Sequence, residues 1–166
     1  MKNVPVILAS VLFMILQLVA VDSLAIGKIA PDFPIMIVVV FALYRPVMEG
    51  TIFGFVIGFV QDLYNPVLMG LNALLKSIMG YVLGEVGSRT VPEGAPFLAL
   101  VLFLSHLTHD LLYMFVYFKL HLLQIMSIFF TETLPSALYT AVLGAALYEL
   151  GKLLMRRVVR AVGKAR

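Results

Sequence analysis

The chain has 166 residues, 62% hydrophobic and 13% charged, with a formal net charge of +3 and a mean hydropathy of +1.05. So little polar surface cannot coat a water-soluble globule, which puts the chain in a bilayer. At about 20 residues per membrane helix there is room for five or six spans and no soluble domain, and with no cysteine the chain has no disulfide, thiolate metal site or cysteine nucleophile.

Lys2 precedes an apolar run from Val4 to Val21. The run is longer than the roughly 7 to 15 apolar residues of a signal peptide and lacks a clean cleavage site, so it reads as the first span. Gln17, its one strongly polar interior residue, reads as a hydrogen-bond partner for a neighbouring helix. Asp22 to Pro31 is a connection carrying Gly27, Lys28 and Pro31. The apolar segment that follows, Pro31 to Tyr44, reaches only about 21 Å as a helix, short of a hydrocarbon core of about 30 Å. Extension toward Val47, snorkelling flanks or local thinning of the membrane would each accommodate it.

Arg45 to Gly84 is the most patterned stretch. Gly50, Gly54, Gly58 and Asp62 recur every fourth residue, which on a helix aligns three glycines and a carboxylate along one ridge with almost no side-chain bulk. After the Asn65-Pro66 break a second apolar run opens with Gly70-Leu71-Asn72 and carries Lys76 toward Gly80 and Gly84. Small residues at such spacing let helix backbones approach closely in lipid. Glu85 to Pro96 reads as a polar loop, and Phe97 to Phe118 as a fifth span interrupted by His106, His109 and Asp110. Lys119 to Gln124 is a short connection or the end of that helix. Ile125 to Leu154 is a sixth span in which Pro135 marks a start or a kink, and Ala137, Ala141 and Ala145 form a second smooth ridge. These readings give a transmembrane domain over 1–155 and a basic tail over 156–166.

With six spans, one side of the membrane holds Lys2, Arg45, Arg89 and the tail's Lys152, Arg156, Arg157, Arg160, Lys164 and Arg166, and the other only Lys28 and Lys119. Positive charge collects on the cytoplasmic side, so both termini are expected there. The cluster Arg156, Arg157, Arg160, Lys164 and Arg166 suits anionic lipid, at about 1 kcal/mol per basic residue. Contact with an acidic cytoplasmic partner is the other reading; nucleic acid is not expected for so short a tail beside a membrane.

Two groups of polar residues fall inside the spans. His106, His109 and Asp110 share one helical face, either as a metal or proton-relay site or as a hydrogen-bonding network that fixes the bundle. A metal would need more ligands, from His121, Asp62, Glu132 or Glu149, and the network is the preferred reading. Asp62 and Lys76 fall at similar depth on consecutive helices, where mutual pairing offsets the cost of isolated charge, about 2.5 to 3.5 kcal/mol. The alternative is that Asp62 and Asn72 line a polar cavity. No phosphate-binding glycine loop, nucleophile elbow or zinc-protease motif occurs, so neither an enzyme nor a cofactor is expected.

A glycine-spaced helix closed by Asp62, a short turn, then Gly70-Leu71-Asn72-Ala73-Leu74 and a Gly80-Tyr81-x-x-Gly84 tail resembles the rod shape-determining protein MreD family. The resemblance extends over essentially the whole chain, from the Pro31-Asp32 opening to the basic end. It implies an all-α six-helix membrane bundle like the substrate-binding subunits of energy-coupling-factor transporters, in the bacterial cytoplasmic (inner) membrane. It implies a non-enzymatic scaffold of the cell-elongation complex that binds the transmembrane helix of MreC, with MreB, RodA and its partner transpeptidase in the same assembly for lateral peptidoglycan synthesis. The glycine and alanine ridges would serve either helix packing within the bundle or the docking of partners. The competing expectation is a transporter's substrate-binding subunit, whose usual alanine ridge on the first helix is missing here; a bound lipid or lipid-linked wall precursor is compatible with either.

Overall fold

The computed structural model describes residues 21–64, 66–90 and 94–164. Apart from its last residue, Val21, the expected first span with Gln17 lies outside the described residues.

A helical turn at Val21–Leu24 leads into a tight turn at Gly27, φ +67°, across which Ile26 and Ile29 exchange backbone hydrogen bonds. Asp32 then starts α1 (Phe33–Leu43): its carboxylate accepts from the Ile35 amide at 2.7 Å, and Pro34 falls in the first turn, where no N–H is needed. Nearly every residue of α1 is apolar and buried, as expected of a helix enclosed on all sides. Tyr44 to Pro46 turns the chain into α2 (Val47–Tyr64). A 3-10 turn at Pro66–Leu68 and a left-handed Gly70, φ +95°, lead into α3 (Leu71–Arg89). After it comes α4 (Gly94–Tyr117).

Beyond Tyr117 the chain reverses through Lys119 and Leu120, both at positive φ, with Leu120 N–H reaching the Phe115 carbonyl and Lys119 N–H that of Val116. That pairing closes the open carbonyls of the helix end. The last rod is α5 (Leu122–Ile128), a π-turn at Phe129–Thr133 and α6 (Leu134–Lys164). Pro135, which has no N–H and clashes with an ordinary helical turn before it, sits directly after the widened turn that accommodates it. Since α6 continues through Lys164, the boundary expected at 155/156 falls within one helix.

The bundle is centred on α1. Phe33, Ile35, Met36, Val39 and Leu43 pack with Leu83 of α3, Leu98 and Leu102 of α4, and Ala141 of α6.

Three expectations are corrected. Instead of six membrane-spanning helices, the described residues form five helical rods, of which α2, α4 and the Leu122–Leu154 part of the last are long and apolar enough to cross a membrane. The 11 residues of α1 reach about 16 Å, and α3 carries Lys76, Glu85 and Arg89. The shortness of α1 is not met by extension to Val47: the helix stops at Leu43, and most of its residues are buried against its neighbours. Finally, the expected loop from Glu85 is still helix as far as Arg89, held by Gly87 against the Leu43 backbone and by an Arg89–Glu85 ion pair of 3.0 Å.

Candidate functional site

Asp62, at the end of the glycine helix, is fully buried and does the work that a capping residue would do for α3. Gly70 occupies the N-cap and has no side chain to offer. One oxygen of Asp62 accepts from the amide of Asn72 at 3.1 Å and from its side-chain nitrogen at 3.0 Å, and the other from the amides of Gly70 at 3.0 Å and Ala73 at 2.9 Å. A carboxylate here meets both the orphan N–H groups and the positive end of the helix dipole. The expected pairing of Asp62 with Lys76 is therefore corrected, because backbone amides reach the carboxylate first. Asn72 is likewise bonded to Asp62 rather than lining a cavity with it.

Lys76, one turn further along α3, is fully buried, and its ammonium lies 2.9 Å from Nε2 of His109. From there a chain of hydrogen bonds and one ion-pair contact crosses the bundle. Nδ1 of His109 meets Oδ1 of Asp110 at 3.1 Å, Oδ2 of Asp110 meets Nε2 of His106 at 3.3 Å, and Nδ1 of His106 meets the Thr140 hydroxyl at 3.1 Å. Thr140 also accepts from the Asp32 amide at 3.1 Å. One assignment satisfies every link: an ammonium at Lys76, His109 neutral with its proton on Nδ1, a carboxylate at Asp110, His106 neutral with its proton on Nε2, and the Thr140 hydroxyl donating to Nδ1. Lys76 and Asp110 thus balance each other through an imidazole, and the chain links α3, α4, α6 and the start of α1. The network reading of His106, His109 and Asp110 is the one the geometry shows. Among the described residues no group of three His, Asp or Glu converges as a metal site would need.

The two histidines open onto different spaces. His106 and Asp110 line a polar vestibule of about 300 Å³ with Asp32, Tyr113, Lys28 and Glu132, whose rim is closed by a Lys28–Glu132 ion pair of 2.9 Å. His109 instead floors a groove of about 300 Å³ between α3 and α4, otherwise walled by residues such as Leu75, Val82, Val101 and Leu104.

The ridges are used inside the bundle. A Cβ on Gly54 would run into the Lys76 carbonyl, one on Gly58 into the Asn72 carbonyl, and one on Gly50 to within 2.9 Å of the Gly80 carbonyl. Glycine is required there because α2 and α3 touch backbone to backbone. Ala137 and Ala141 are buried with Thr140 and Gly144 on the α6 face that meets α4, where Leu102 fills the space beside Gly144, and Ala145 is half-buried at its edge. Of the two readings of Gly50, Gly54, Gly58, Ala137 and Ala141, helix packing or partner docking, these contacts show the helix packing. The side chains of Arg156, Arg157, Arg160, Lys164 and Arg166 lie outside the described ones.

With this geometry in view, the family model for the rod shape-determining protein MreD matches residues 1–158. The chain belongs to the MreD family. Its role is in rod shape determination, and the family is one of structural, shape-determining membrane proteins. Membership in the MreD family and, among the described residues, three crossing-length apolar helices make it a membrane protein. No curated protein and no solved structure matches the chain. The likeness to transporter substrate-binding subunits, in fold or in function, accordingly has no support from the comparisons.

Within this MreD bundle, sequence reasoning missed Thr140 and Asp32 as members of the network. A signal was present on the last rod, where Thr133 of the π-turn and Ser136, Ala137, Thr140, Ala141 and Gly144 of α6 are small or hydroxylic and all buried.

Proposed function

We propose that the chain is an integral scaffold of the bacterial cell-elongation complex in the cytoplasmic membrane, crossing it several times. The observation that carries this reading is the MreD family match over residues 1–158. The scaffold holds MreC through its transmembrane helix, and through that pair it helps to place MreB, RodA and the partner transpeptidase for lateral peptidoglycan synthesis. Its work is to hold an assembly, not to catalyse.

Charge supports a cytoplasmic C-terminus, and with Val4 to Val21 as a further span the N-terminus lies on the same side. Successive helices joined by short turns put Lys28 and Lys119 at one end of the bundle, and Arg45, Arg89 and the C-terminal part of α6 at the other. Along α6, Arg156, Arg160 and Lys164 recur every four residues, a spacing suited to anionic lipid headgroups at the cytoplasmic surface.

Because both small-residue ridges are consumed within the bundle, the scaffold meets its partners with other faces. The test is co-purification in mild detergent of the tagged chain with MreC co-expressed. Recovery of MreC with monodisperse protein is expected; monodisperse protein that retains no MreC would overturn the reading.

A further inference from the structure

We propose that His106 is a proton-binding site, loaded from the polar vestibule and coupled through Thr140 to the packing of α6 on α1.

The two histidines of the network are not equivalent. His109 presents Nε2 to the Lys76 ammonium, so an added proton there would put two cationic donors 2.9 Å apart in a sealed site. His109 is locked neutral. His106 presents Nδ1 to a hydroxyl, and a hydroxyl both donates and accepts. When a proton from solvent adds to Nδ1, the new N–H donates to the Thr140 oxygen, and the Thr140 hydrogen turns to the only kind of acceptor a buried helical threonine always has, the carbonyl four residues earlier, that of Ser136. No bond breaks, the proton comes from water, and each hydrogen keeps an acceptor. The imidazolium then faces the Asp110 carboxylate at 3.3 Å.

The surrounding charge favours that added proton. Facing His106 on its own helix are His109, Asp110 and the neutral Tyr113; from α1 comes Asp32, from the preceding loop Lys28, from the π-turn Glu132 and from α3 Lys76. Lys28 pairs with Glu132, while Lys76 is shared between Asp32 and Asp110, so this set holds one carboxylate more than it has cations. A proton on His106 brings the set to neutrality. Access is from the vestibule, since His106 lines it and the Asp110 side chain beside it is 29% exposed.

The consequence is mechanical. Thr140 is fully buried and ties the Asp32 amide at the head of α1 to α6. Turning its hydroxyl onto the Ser136 carbonyl bends α6 slightly, just after the π-turn at Phe129–Thr133. The pH on the vestibule side is in this way read as a change in the α6 rod. That this side is the outside rests on the proposed orientation; the proton site itself does not.

The test is nitrogen NMR of the full chain, labelled in its three histidines and held in lipid nanodiscs. The readout is indifferent to orientation and to partners. His121 is assigned with His121→Gln and His106 with His106→Gln. The expected result is that His106 becomes an imidazolium with a midpoint between about pH 5 and 8, while His109 stays neutral with its proton on Nδ1. Asp32→Asn, which keeps a helix cap, should weaken proton binding at His106 about tenfold. Lys76→Met should release His109 to titrate. A His106 that stays neutral throughout, a His109 that charges first in the native chain, or a Lys76→Met variant whose His109 is unchanged would each overturn the proposal.

Discussion

Lys76 and His109 are 33 residues apart in the chain and 2.9 Å apart in the bundle, and both are sealed from solvent. No carboxylate touches the ammonium: its counter-charges act at a distance, Asp32 and Asp110 foremost, the latter on the far side of the imidazole. Removing Lys76 alone leaves a mostly buried carboxylate without its counter-charge. Lys76→Met should therefore lose about 3 to 5 kcal/mol just above the histidine titration range, where no histidine can take its place and the ammonium is still present in the native chain. Adding Asp110→Asn should recover most of that loss. Thermal melts in detergent of the two variants check it, and equal melts would contradict the pairing.

Asp62 supplies four hydrogen bonds to the start of α3. Asp62→Ala should destabilise the protein by about 2 to 3 kcal/mol, since it removes charge-assisted caps at a helix start with no cap of its own. Asp62→Asn keeps one acceptor oxygen and should lose less. Hydrogen exchange at the amides of Asn72 and Ala73 localises the effect: both should exchange faster in Asp62→Ala while the centre of α4 is unchanged.

Where α2 and α3 touch backbone to backbone, even a methyl group is too large. Gly54→Ala should cost about 1 to 3 kcal/mol through overpacking, whereas Phe55→Ala, next to it but half exposed, should leave the melting temperature nearly unchanged. If the two substitutions behaved alike, the glycine ridge would not be an internal contact.

Thr140→Val keeps shape and removes the hydroxyl that serves both the Asp32 amide and His106. Stranding those two groups should cost about 1 to 3 kcal/mol. Thr140→Ser should retain most of the native stability in the same melt.

At the vestibule rim, the hydrogen bond and charge of Glu132 raise the pKa of Lys28 above its ordinary 10.5. A raised lysine stabilises fully below its unfolded value and loses that contribution as pH rises through the folded one. The pair is exposed and screened, so its effect is small and shrinks with salt. The difference in melting temperature between the native chain and Lys28→Met should stay flat from neutral pH up to 10.5 and fall only above it.

How much of this was legible in the sequence depends on how local each feature is. The four-residue spacing of Gly50, Gly54, Gly58 and Asp62 is local, and with Gly80 and Gly84 after a tight turn it announced a close contact between two consecutive helices, which is the α2–α3 contact observed. Asp62 and Lys76 at matching depth suggested a pair, yet Gly70 leaves the start of α3 without a side-chain cap, and the amides there compete better for the carboxylate than an ammonium a turn away. His106, His109 and Asp110 were legible as one face because the i, i+3, i+4 geometry of a helix guarantees it. Lys76, Thr140 and Asp32 join them only through tertiary packing, across separations of 33 to 108 residues. The brevity of α1 was read as a mismatch with lipid, because a sequence does not show that its neighbours enclose it.

The measurement that bears most directly on the account is depletion of the chain in its own host, with cell shape followed by microscopy and a second copy supplied as native sequence or as Gly54→Leu. Depleted cells should lose rod shape, the native copy should restore it, and Gly54→Leu, which wedges α2 from α3, should not. Cells that remain rods after depletion would contradict a role in shape determination, and full rescue by Gly54→Leu would contradict the packing on which the bundle is built.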